Sequence, residues 1–205
     1  MDWQILDKIQ SAGILTHIAT VSDPHLFSQT ASEASFKPLS FYQDYMVYRI
    51  TNYATLPCFS LDFLSDGESF HLLDGSPTPL NIVNAKGSLY LTESNVIDYV
   101  DFYLANIQGD DGDIYLIRDV ETLPFIDSLA IDQQMDMKTK HEDPIVMIDD
   151  QTSHLVVAGD LFYGGTLLKA YITVSPSGQL EISQRDMIMN APVKDNHEPV
   201  QFRGD

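Results

Sequence analysis

The chain has 205 residues, of which 30 are Asp or Glu and 11 are Lys or Arg, giving a formal net charge of −19 at pH 7. Such a field repels phosphate backbones and anionic lipid surfaces, which argues against direct nucleic-acid binding and against a membrane role. No run approaches the ~18 apolar residues of a membrane helix, and Cys58, the single cysteine, excludes an intrachain disulfide and a multi-cysteine zinc site.

An apolar content of 44% supports an ordinary core, and the length suits one domain spanning residues 1–205. The N-terminus carries Asp2 and Asp7 where a secretory signal would carry positive charge. With a lone thiol, this points to a cytoplasmic setting.

Along the chain, Asp2 is a candidate cap for a short helix with Leu6 and Ile9 on one face and Gly13 as its stop signal. Residues 22–40 mix Ser, Thr, Ala and prolines without a period and read as a long connection. The stretch from Phe41 to Tyr53 is rich in aromatic and β-branched residues and predicts a strand. Phe59, Leu61 and Phe63 then alternate with Ser60 and Asp62, Asp66-Gly67 supplies turn chemistry, and Phe70 and Leu72 flank His71 on the return, which predicts a hairpin with one wet face. Pro77 and Pro79 favour an extended loop.

The strongest helix signal covers about residues 92–108. Val96, Val100, Tyr103 and Ile107 form a stripe widened by Ile97 and Leu104, opposite Asp98, Asp101 and Ala105, with Thr92 as cap and Gly109 as stop. Short strands are predicted in the stretches beginning at Asp113 and Pro144, separated by a polar excursion with one helix. A meander closes the fold, turning at Gly164-Gly165 and again at residues 175–178, before a loose tail over 190–205. Hairpins around one principal amphipathic helix predict an α+β fold, with a largely antiparallel sheet as a single layer and the helix packed on one face.

Candidate chemistry is sparse. Asp110, Asp111 and Asp113 offer oxygens for a hard cation, but no glutamate closes the loop, so a solvated turn explains them and no metal is assigned. Histidine ligand spacings, nucleophile elbows and phosphate loops are absent from the sequence, so no cofactor is implied. Cys58 reads as a small core hydrophobe. Asp62 and His71, on the solvent side of one hairpin, are the remaining acid–base candidates.

Residues 78–118, with an Asn-containing loop leading into a Leu-Thr capped helix, and residues 155–182, with a Tyr-Gly meander, resemble a bacterial protein family without an assigned activity. The resemblance implies a bacterial cytosolic origin and adds no site residue. The expected function is a non-catalytic acidic interaction module that meets a protein partner, or its own copy, through a tyrosine-rich sheet face. One alternative is a small-molecule binder or enzyme with a dispersed His/Asp site; another is a mimic of nucleic-acid charge that binds a basic protein.

Overall fold

A computed structural model describes residues 2–23, 25–108, 114–123, 126–163 and 166–190. In chain order the elements are β1 (Gln4–Ile5), α1 (Lys8–Ile18), β2 (Ser32–Pro38), β3 (Met46–Asn52), β4 (Phe59–Ser65), β5 (Phe70–Leu72), α2 (Thr78–Ala85) and α3 (Val96–Asn106). Then follow β6 (Ile114–Leu116), α4 (Ile131–Lys140), β7 (Ile145–Ile148), β8 (Leu155–Tyr163), β9 (Thr166–Val174) and β10 (Leu180–Asn190). The strand-to-strand pairings are antiparallel, as expected for this α+β fold.

The strands build two sheets rather than one layer. The first runs β1-β2-β3-β4-β5; the second runs β10-β9-β8-β6, with β7 also paired to β8. Helix α3 accounts for the division. It buries Val96, Tyr99, Val100 and Leu104 in one cluster that also takes Val47 and Leu64 from the first sheet and Val157, Leu161, Ala170, Ile172 and Val174 from the second. One pleated face covers one stripe of a helix, and α3 is apolar over more than that.

The two faces of the first sheet follow from its register. Ala34, Ile50 and Leu61 form one row and Phe36, Tyr48, Phe63 and Leu72 the next. This side packs on Leu15 and Ile18 of α1. On the opposite side Val47 and Leu64 meet the α3 cluster, while Arg49 and Asp62 sit beside it at matched positions.

Several boundaries differ from expectation for local reasons. Helix α1 is capped by Asp7, not Asp2: its carboxylate accepts from the Ile9 and Gln10 amides at 2.9 and 2.8 Å, and Gln10 Oε1 accepts from the Asp7 amide. Gly13 lies inside that helix. Strand β2 occupies the expected connection, because Ala34 and Phe36 alternate with Ser35 and Lys37 for just long enough to pair with β3. The two prolines start α2 instead of forming a loop, with Pro77 at the N-cap and Pro79 in the first turn, where no amide donor is missed. Helix α3 begins at Val96, after the Asn95 side chain accepts from the Thr92 amide and donates to Ser40 and Tyr90 carbonyls. Cys58 is exposed ahead of β4 rather than packed in the core.

The tyrosines divide between the interior and scattered surface positions. Tyr42, Tyr45 and Tyr99 are buried, whereas the exposed Tyr53, Tyr90 and Tyr171 stand on separate segments. The Tyr99 hydroxyl donates to the Gly178 carbonyl at 2.7 Å and accepts from Asn84 Nδ2 at 3.1 Å, and Asn84 Oδ1 accepts from the Tyr42 hydroxyl at 2.6 Å. This chain ties α2 and α3 to the β9–β10 turn. Gly178 has φ +80°, and an added Cβ would collide with the Tyr99 hydroxyl and Asn84. Among the described residues no helix is long and apolar enough to cross a membrane.

Candidate functional site

A cleft of about 590 Å³ opens between the first sheet and α3. Strands β2 to β4, with Trp3 just ahead of β1, supply one wall. Arg49 and Asp62 are cross-strand partners on β3 and β4, and the guanidinium meets the carboxylate through Nε–Oδ1 and Nη2–Oδ2, both at 2.8 Å. The Trp3 ring lies 4.4 Å from the Arg49 Cζ atom. Such a pair is planar, oriented and backed by an aromatic face, so it holds a fixed geometry. Lys37 lines the same cleft, and no hydrogen bond or ion pair joins its side chain to a described residue.

The helical wall is the side of α3 that sequence reasoning left to solvent. Asp98, Asp101, Phe102 and Ala105 line it. Arg118, just after β6, reaches across with Nη2 2.8 Å from Asp98 Oδ1 and Nε 2.5 Å from Asp101 Oδ2. Ser40 Oγ donates to the other Asp98 oxygen at 2.9 Å. Two carboxylates therefore share one guanidinium, and their environments split them. Burial pushes the Asp98 carboxyl up, but the hydrogen bonds from Arg118 and Ser40, with the Arg118 charge, hold it below the usual range. Burial pushes the Asp101 carboxyl up to about 6; Arg118 opposes the rise and Asp98 adds to it.

Of the residues singled out from sequence, Asp62 lies in this cleft. His71 does not line it. Its titration is pushed down by burial and by Lys86, against a smaller pull from Asp66, and its Nε2 is buried without a partner. No hydrogen bond or ion pair among the described residues joins His71 to Asp62. Asp110, Asp111 and Asp113 lie outside the described residues, and among those described no group of three or more His, Cys, Asp or Glu is arranged to hold a metal.

Sequence reasoning missed Lys37, Arg49, Asp98, Asp101 and Arg118 as a set. No local signal in the chain gathers them: three of the 11 cations meet at one cleft only through the β3–β4 register and the placement of Arg118 after β6.

A more deeply buried polar pair lies on the outer face of the second sheet. Asp160 on β8 is 2% exposed and its Oδ2 accepts from His141 Nδ1 at 2.7 Å and from the Glu142 amide at 3.3 Å. His141 caps the C-terminus of α4. Its Nε2 is buried, so the pair pins the helix to the strand and offers no open face to a substrate.

No protein-family model, curated protein or solved structure matches the chain. The chemistry of the cleft rests on its own atoms.

Proposed function

We propose that the chain is a small-molecule-binding protein whose ligand occupies the cleft between the first sheet and α3. The observation that carries this reading is the combination of volume and lining. About 590 Å³ falls within the ~300–1,000 Å³ typical of ligand pockets, and its oriented ion pairs stand beside Trp3, Leu39 and Phe102. Lys37, half-buried and with no partner for its ammonium among the described residues, gives the lining a charge that no ion pair of the fold uses.

The test is a thermal-shift and NMR fragment screen against the wild type and Ala105→Trp, which fills the cleft from an exposed helical position. A ligand at 100 times its dissociation constant stabilises by about 2.7 kcal/mol. Hits that disappear in A105W support the reading. A screen in which every hit survives A105W, or none is found, overturns it.

A protein-interaction role draws support from a different place. Ile145, Met147 and Tyr171, which are 58%, 37% and 40% exposed, share the outer face of the second sheet through their pairing with Ala158 and Val156. The charge of −19 opposes packing two copies together, so this reading requires a partner with basic residues around an apolar centre. Its test is whether Tyr171→Glu abolishes retention of a purified basic partner.

A further inference from the structure

Resting on the cleft reading above, we infer that the ligand is a zwitterion with an apolar side chain, a free amino acid or short peptide, its ammonium group toward Asp101 and its carboxylate toward Lys37.

The inference follows from how charge divides across the cleft. The sheet wall carries Lys37 and Arg49 against a single carboxylate, Asp62, which Arg49 takes, leaving one positive charge. On the helical wall Asp98 and Asp101 share Arg118, leaving one negative charge. The cleft is neutral as a whole and dipolar across its width. Trp3, Leu39, Phe41 and Phe102 line the same cleft and offer apolar surface and no charge.

Ligands with one charge fit this arrangement poorly. A monocation answers the helical wall and leaves the Lys37 ammonium without a counter-charge. A monoanion answers Lys37 but leaves the net negative charge of the helical wall unanswered, and it must approach a chain carrying −19. A neutral molecule uses neither pole. A zwitterion pairs both walls at once, and its own dipole opposes theirs. Asp101 is the carboxylate with less support from its surroundings. Arg118 bonds both carboxylates, but Ser40 donates only to Asp98, so Asp101 gains more from an incoming ammonium.

The probes are phenylalanine, the leucyl-phenylalanine dipeptide, and the N-acetyl and C-amide derivatives of each, titrated by calorimetry and by NMR at about pH 7. Capping either end removes one charge and leaves the apolar body unchanged. In the wild type each cap is expected to weaken binding about tenfold or more, the scale of one lost charged hydrogen bond. Lys37→Gln is expected to bind acid and amide alike, and Asp101→Asn to bind amine and N-acetyl forms alike, each variant erasing one discrimination and keeping the other. Whichever parent binds more tightly identifies the source as free amino acid or peptide.

A capped form that binds the wild type as tightly as its parent overturns the inference without any variant being needed. So does discrimination that survives intact in K37Q and D101N. If singly charged fragments bind in a manner sensitive to A105W while neither parent zwitterion binds, the ligand class is wrong and the cleft reading stands. If no compound is sensitive to A105W, both fall.

Discussion

Arg49 and Asp62 face each other across β3 and β4 with two parallel hydrogen bonds of 2.8 Å, and Trp3 covers the guanidinium. The arrangement fixes one wall of the cleft before any ligand arrives. Both side chains keep some exposure to water, 41% and 24%, so the pair contributes less than a buried one. Arg49→Met is expected to cost about 1 kcal/mol in urea denaturation, and Arg49→Lys about half as much, since an ammonium cannot meet both oxygens in one plane. An unchanged midpoint in R49M would show that the pair does not hold the strands.

Asp101 gives the fold a pH signature with a definite sign. Its folded-state titration is raised to about 6, above the ~3.9 of an unfolded aspartate. The folded chain therefore binds the proton more readily than the unfolded chain does. Stability associated with this group grows as pH falls through about 6, and the gain is complete once the unfolded carboxyl is also protonated. The side chain is 35% exposed, so solvent screening cuts the effect to about 1 kcal/mol. Relative to Asp101→Asn, the wild type should gain that amount between about pH 7 and pH 4. Carboxyl NMR should place the midpoint near 6; a midpoint in the ordinary aspartate range would remove the burial account of this wall.

Two glycines should respond oppositely to the same substitution. Gly178→Ala places a methyl group against the Tyr99 hydroxyl and Asn84 in a left-handed backbone conformation, and should cost about 2–4 kcal/mol. Gly13→Ala adds a methyl into open space inside α1 and should stabilise by about 0.5–1 kcal/mol. Thermal unfolding of the pair decides this. Equal effects would mean that the Tyr42–Asn84–Tyr99 chain does not constrain the β9–β10 turn.

His141→Ala should destabilise by about 2–4 kcal/mol, because it leaves the nearly inaccessible Asp160 carboxylate with only the Glu142 amide. Replacing both partners, as in His141→Ala with Asp160→Leu, should recover part of that loss, since the buried charge disappears with its partner. If the double variant is no more stable than H141A, the cost belongs to the α4 terminus and not to the stranded carboxylate.

The parts of this fold that were legible in the sequence are those whose signals are local. Helix α3, the β4–β5 hairpin with its Asp66-Gly67 turn and the β8–β9–β10 meander each repeat a period over enough residues to be read without a partner. Strand β2 was not legible, since Ser, Glu and Lys hide an alternation carried by Ala34 and Phe36 alone. The division into two sheets is a long-range outcome of what α3 has to bury. In the cleft, Asp62 stood out for its place on a wet hairpin face. Its partner Arg49 became visible only through the β3–β4 register, and Asp98 and Asp101 read as solvated because nothing near them in the chain announces Arg118. His71 shared the logic of Asp62 but belongs to the surroundings of Lys86 and Asp66.

The two edges of the second sheet differ: β10, of 11 residues, forms one, and the other is broken. Strand β8 is flanked on one side by two short strands, β7 along its first half and β6 along its second. The outermost backbone on that side is therefore split into pieces of four and three residues, too brief to template a strand from another molecule. A continuous rim of nine would invite fibril-like stacking; the broken one withholds a register for it.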